Sequence, residues 1–151
     1  MSAERGADGS VDGGSRRALR RSPVEVTPPV ALLVDVVLVV VFAAVGRASH
    51  EEGNPVLGAL ATAWPFLVGT LLGWAVVRVS RRQWPLGVSP GVTVWVATVL
   101  VGMVLRQATG SGTALSFVVV ASVVLAVFLL GWRAAAALLG RRSGRSAHIQ
   151  A

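Results

Sequence analysis

Polar and apolar positions along this chain fall into blocks rather than into short periods. Residues 1–26 are rich in Gly, Ser, Arg and acidic side chains, with almost no apolar periodicity. Four nearly continuous apolar runs follow, at 28–46, 55–77, 90–105 and 114–132, the last with an apolar continuation to Leu139. A helix at the surface of a soluble domain keeps one polar face; these runs are apolar on every side, as segments surrounded by lipid or protein are. At 1.5 Å per residue, runs of about 16 to 23 residues cross or nearly cross a hydrocarbon core of roughly 30 Å. The third run is the shortest and needs residues 86–88, or local thinning of the bilayer, to span. The pattern predicts an all-α integral membrane bundle of four transmembrane helices over 27–139. A disordered basic tail (1–26) precedes it and a flexible basic tail (140–151) follows.

The boundaries carry helix-start chemistry that is independent of hydropathy. Thr27-Pro28, Asn54-Pro55 and Ser89-Pro90 each place a capping side chain before a proline, whose missing N–H costs nothing at the first helical position. "GSGT" at 110–113 predicts a tight turn and a threonine cap for the fourth helix. Inside the second run, Ala61, Pro65, Gly69 and Gly73 recur every four residues. "GTLLG" there is a small-xxx-small match that permits close backbone approach, with packing inside the bundle favoured over dimerisation. Pro65 frees the carbonyl of Ala61, which gives a kink or a midplane acceptor.

Composition and charge sharpen this picture. Hydrophobic residues make up 54% of the chain and charged residues only 14%, so most of the surface is unsuited to water. The net charge of +7 comes from 14 arginines with no lysine. Nucleic-acid binding would need a basic face on a soluble element, whereas here the arginines sit in the gaps between apolar runs. Arg5, Arg16, Arg17, Arg20 and Arg21 lie in the N-terminal tail. Arg78, Arg81 and Arg82 flank the second connection, and Arg133, Arg141, Arg142 and Arg145 lie at the C-terminal end. In an alternating four-helix topology all of these share one side, leaving Arg47 and Arg106 opposite. The positive-inside rule then predicts an inner (plasma) membrane protein with both termini cytoplasmic (N-in/C-in) and Trp74, Trp84 and Trp132 at the cytoplasmic interface. "SRRALRR" at 15–21 loosely matches a twin-arginine export signal, but Asp35 interrupts the run behind it and three more runs follow. With no cysteine, disulfides and thiol chemistry are excluded.

Asp35 is the least ordinary residue. It lies two residues from the centre of its run, where an aspartate costs on the order of 3 kcal/mol and is expected to face the interior with a partner or a proton. Trp64, Trp95, Thr98 and Ser122 fall at similar depth and offer N–H or O–H donors. Arg78 and Arg133 are placed deeper, able to reach only partly. Asp35 and the Pro65 carbonyl site together make the midplane a candidate polar pocket, with a packing role and a proton- or cation-binding role both open.

A second cluster lies in "VGRASHEEGNP" at 45–55. Arg47 and His50, with Arg106 and the "GSGT" turn, compose a candidate site for a carboxylate, phosphate or lipid head at the outer mouth. Salt bridges to Glu51 and Glu52 are the plainer account. One histidine beside two glutamates is too few for a metal site, and His148 sits in the polar tail. No catalytic motif occurs: no G-x-S-x-G, no H-E-x-x-H and no phosphate-binding glycine loop, so no enzyme activity, metal or cofactor is expected.

The stretches "DVVLVVVFAAVGRASH", "WPFLVGTLLGW", "GVTVWVATVLVGMVLR" and "GSGTALSFVVVASVVLAVFLLGWR" together resemble a family of small bacterial, chiefly actinobacterial, membrane proteins, domain of unknown function 3054. The marks are Asp35, Gly46-Arg47 with His50, Trp64-Pro65-Phe66, Arg106, Phe117 and Trp132-Arg133, and they cover residues 30–133. The resemblance implies a four-helix inner-membrane protein and brings no activity with it. Two roles stay open. One is a transporter-like or solute-binding protein using Asp35 within the membrane and Arg47, His50 and Arg106 at the mouth. The other is a structural subunit that offers the Gly69-Gly73 face and its basic residues to a membrane partner, a second copy or anionic lipids. No inverted repeat relates 28–77 to 90–139, and four spans leave little room for a pathway in one copy.

Overall fold

The computed structural model describes residues 26–47 and 54–147, with side chains to Arg141. Four helices make up the bundle: α1 (Pro28–Arg47), α2 (Pro55–Arg81), α3 (Val88–Ala108) and α4 (Leu115–Ala147). All four are long and apolar enough to cross a membrane. Residues 1–25, nearly all of the expected N-terminal tail, residues 148–151 at the end of the expected C-terminal tail, and residues 48–53, including His50, lie outside the described residues.

The helices close into a ring in chain order: α1 packs on α2, α2 on α3, α3 on α4, and α4 returns to α1. Neighbours run antiparallel, as short connections demand. Gly69 of α2 meets Ala97 and Thr98 of α3, and Gly73, one turn further on, meets Val94, one turn back. Each helix buries a single stripe. On α1 it is Ala31, Asp35, Val39 and Phe42-Ala43, and on α4 it is Ala121, Leu125, Leu129 and Arg133. The opposite faces stay apolar and exposed, with Leu33, Val37, Leu71, Leu100 and Val123 among them, because lipid takes the place of water there.

The glycine pair decides the tightest interface. A Cβ on Gly69 would lie 2.8 Å from the Ala97 carbonyl oxygen, and one on Gly73 would lie 2.8 Å from Val94 Cα. Both glycines are therefore occupied inside the bundle. This removes the Gly69-Gly73 face from the surface and with it the expected use of that face for a partner or a second copy. α2 runs as one helix through Pro65, which is buried in the same stripe.

One boundary is as expected and three differ. Asn54 caps α2, its side chain accepting from the N–H groups of Val56 (2.9 Å) and Leu57 (3.3 Å). α3, however, starts two residues early at Val88 with Gly87 as its cap, so Ser89 is helical and its hydroxyl is free to accept from Arg81 at 3.4 Å. The Thr113 hydroxyl donates to Gln107 (2.9 Å) rather than capping α4. α4 passes the expected end at Leu139 and continues to Ala147, since the alanines and leucines of 134–139 favour helix and Gly140 and Gly144 cost only about 1 kcal/mol each.

Candidate functional site

The bundle interior is layered. The end that carries the two termini holds Asp35, which is fully buried. Its carboxylate accepts four hydrogen bonds. Arg133 donates twice, Nη1 to Oδ1 at 2.8 Å and Nη2 to Oδ2 at 2.7 Å, while Trp74 Nε1 donates to Oδ2 at 2.8 Å and Trp132 Nε1 to Oδ1 at 2.9 Å. Four donors and no acceptor around it make Asp35 a pure acceptor, the pattern of a carboxylate in an end-on arginine fork. Arg133 is 1% exposed and completes its own set with the carbonyls of Leu129 (2.7 Å) and Pro85 (2.9 Å). The pair thus ties α1 and α4 to the 82–87 connection, with Trp74 adding α2. Gly91 of α3 leaves room for the arginine stem: a Cβ there would sit 2.6 Å from Arg133 Cδ.

These partners differ from the ones expected by depth alone. Trp64 is 41% exposed and faces outward. Thr98 is buried, and its hydroxyl lies 3.0 Å from that of Thr70 at the α2–α3 crossing, each also within reach of its own i−4 carbonyl. Trp95 donates to the Ser122 carbonyl at 3.0 Å. None of the three touches Asp35, and the expected midplane pocket is a closed packing layer. The missed signal is side-chain direction. Cβ atoms tilt toward the N-terminus of their helix, so Asp35 leans toward the terminal end while Trp74, Trp132 and Arg133, on antiparallel helices, lean to meet it. Arg133 consequently does not belong with the interfacial arginines, nor Trp74 and Trp132 with interfacial anchors. Trp84, 47% exposed, does carry Arg78 over its ring at 5.0 Å.

Beyond the threonine layer, Phe42, Phe66 and Phe117 close the core. Their ring centroids are 5.4 to 6.4 Å apart, the Phe42–Phe66 pair edge to face. Gly102 of α3 faces the Phe66 ring so closely that a side chain there would displace it.

Above this aromatic floor, at the end opposite the termini, all four helices contribute to a pocket of about 250 Å³ lined by Phe42, Gly46, Arg47, Thr62, Arg106 and Phe117. Arg106 lies in the last turn of α3, where a cation complements the helix dipole. The turn of 109–114 folds back on it: Gly110 and Gly112 adopt positive φ (73° and 71°), which brings the Ser111 and Gly112 carbonyls 3.3 and 3.4 Å from Nη2. The Arg106 guanidinium lies 4.3 Å from the Phe117 centroid, and its Nε is buried with no hydrogen-bond partner among the described residues. Arg47 reaches across α2 and packs over Gly58. Arg47 and Arg106, paired in expectation from sequence, thus do line one pocket. Glu51 and Glu52, the alternative partners, lie with His50 outside the described residues. Among the described residues no cluster of three or more metal-ligating side chains forms.

Residues 32–136 match the profile of a protein family of unknown function, DUF3054. The chain belongs to this family. The match takes in both the Asp35–Arg133 pair and the Arg47–Arg106 pocket, so both sites of this DUF3054 protein fall within the family domain. No curated protein and no solved structure matches the chain.

Proposed function

We propose that this DUF3054 protein is a solute-binding membrane protein whose site is the Arg47–Arg106 pocket, taking a carboxylate or phosphate group. Transport through Asp35 is not part of the reading. The observation that carries it is the pocket itself, where two arginines and Thr62 oppose the apolar walls of Phe42 and Phe117. Apolar walls lower the local dielectric, which strengthens the attraction of a guanidinium for an anion, and the fork geometry of arginine suits two-oxygen acceptors. The buried Nε of Arg106 adds to this, since an unsatisfied donor on a charged group costs about 1–3 kcal/mol that a ligand oxygen would recover. Asp35 has the opposite character. Four donors fill its acceptor sites, and that is the chemistry of a fixed tie between helices rather than of an exchanging proton or cation site.

In this reading the protein lies in the plasma membrane with both termini cytoplasmic and the pocket on the outer side, on the arginine asymmetry that remains once Arg133 is set aside. It acts by binding and not as an enzyme.

Thermal unfolding of the purified protein in detergent, with and without inorganic phosphate, tests the reading. Ligand at 100 times its Kd stabilises by about 2.7 kcal/mol, and the transition should rise accordingly. Phosphate also stabilises proteins non-specifically, so the decisive comparison is Arg106→Gln. An equal rise in both proteins, or none in either, rejects the pocket.

A further inference from the structure

We infer that the mouth pocket takes a small monocarboxylate with an apolar body, of the size of hexanoate or benzoate, and prefers it to inorganic phosphate. This rests on the anion-binding reading and specifies its ligand.

The polar side of the pocket is narrow. Arg106 offers an Nε that is buried with no hydrogen-bond partner among the described residues. The Nη2 beside it makes only long bonds, 3.3 and 3.4 Å, to the Ser111 and Gly112 carbonyls. Nε and Nη2 form the side edge of the guanidinium, whose two parallel donors match the two oxygens of one carboxylate. The other polar lining groups are engaged on α2. The Thr62 hydroxyl donates its proton to the Gly58 carbonyl at 3.0 Å, and Arg47 lays its guanidinium over Gly58. Inorganic phosphate brings more charge and more acceptor oxygens than one guanidinium edge serves, and an oxygen held without a donor against apolar walls is costly.

The apolar side is wide. Phe42, Phe117 and Gly46 form it, and nothing lies within 4 Å of where a Gly46 Cβ would stand. The volume, about 250 Å³, sets the size of the body. An apolar cavity of about 150 Å³ accommodates benzene, so a ring or short chain together with its carboxylate fits here. Acetate or inorganic phosphate would leave most of that space unfilled. A body of this size is contained in the pocket and needs neither of the two apolar grooves that flank α1, one against α4 and one against α2. Each buried CH2 contributes roughly fourfold in affinity, so the apolar body, and not the anion alone, should set the ranking of ligands.

The test uses the full-length protein purified in detergent, titrated by calorimetry with acetate, hexanoate, benzoate, phenyl phosphate and inorganic phosphate at constant ionic strength and neutral pH. Hexanoate and benzoate should bind about tenfold or more tightly than acetate and inorganic phosphate, and benzoate should bind more tightly than phenyl phosphate. Arg106→Gln should abolish binding of all these anions. Arg106→Lys, which keeps the charge and loses the side edge, should retain only part of the affinity, and it replaces Arg106→Gln should that variant not fold. Gly46→Leu occupies pocket volume from a position with open surroundings, and should weaken hexanoate about tenfold and narrow its advantage over acetate. Arg106-dependent binding in which phosphate matches hexanoate, phenyl phosphate matches benzoate, or Gly46→Leu leaves the hexanoate advantage intact overturns the monocarboxylate inference and leaves the anion pocket standing. No Arg106-dependent binding of any of these anions overturns both. Circular dichroism and elution volume establish that each variant is folded.

Discussion

Removing the Asp35 carboxylate should be among the most damaging single changes in this protein, and removing its partner as well should undo much of the damage. Asp35→Ala leaves the buried Arg133 guanidinium with two carbonyl acceptors, Leu129 and Pro85, and no counter-charge. Breaking a buried pair in this way costs about 3–5 kcal/mol. The Trp74 and Trp132 N–H groups lose their acceptor too, and membrane hydrogen bonds average about 0.6 kcal/mol each by double-mutant cycles. The expected loss is about 4–6 kcal/mol, against a typical total stability of about 5–15 kcal/mol. Arg133→Met alone should cost less, because the stranded carboxylate can take up a proton while the arginine of Asp35→Ala cannot lose one. The double variant Asp35→Ala/Arg133→Met removes both charges together, and its coupling energy should be about 2–3 kcal/mol. Reversible unfolding by titration with sodium dodecyl sulfate, followed by far-UV circular dichroism, measures all three variants. An Asp35→Ala loss below about 1 kcal/mol, or a double variant equal to the sum of its parts, would refute the assignment of this pair as the tie between α1 and α4.

Other expectations follow from the packing. Gly69→Ala and Gly73→Ala should each destabilise by about 1–3 kcal/mol by forcing α3 away from α2, while Gly46→Ala and Gly131→Ala, with open space at the Cβ, should be neutral or slightly stabilising in the same titration. Phe66→Ala, which empties the centre of the aromatic floor, should cost about 3–5 kcal/mol. Because the chain has no cysteine, single cysteines at Gln83 and Ser111 report topology directly: in intact cells an impermeant thiol reagent should label Ser111→Cys and spare Gln83→Cys, and the reverse pattern would invert the orientation.

The helix count and the presence of one inward-facing acidic residue were legible in the sequence alone. Run length and apolar composition determine spans because the bilayer leaves a backbone few other ways to satisfy its hydrogen bonds. Asn54-Pro55 is a purely local start signal, and the structure uses it as such. Asp35 marks the inner face of α1 for a related reason: no lipid-facing position compensates a carboxylate. Within the apolar remainder of that helix nothing distinguishes Ala31 and Val39, which are buried, from Leu33 and Val37, which meet lipid. Hydrophobicity cannot separate a core from its surroundings when both are apolar.

Partner choice belonged to the tertiary structure. Depth along each helix pointed Asp35 toward Trp64 and Thr98, but antiparallel neighbours lean their side chains toward one another across a full turn, and that joined Asp35 to Arg133, 98 residues away. It also changed the role of Arg133 from an interfacial charge to a core residue. Packing inside the bundle was the favoured use of Gly69 and Gly73 from sequence, but which helix they meet was set by the α3 backbone that fills the space above them. Arg47 and Arg106 were already grouped at the outer mouth from sequence, yet only closure of the ring set them with Thr62 against Phe42 and Phe117 and formed two apolar grooves flanking α1. Sequence determined what each segment tolerates as surroundings, since that is a property of local composition. Which surroundings each received depended on helix direction, rotation and approach, and these are set by packing between segments far apart in the chain.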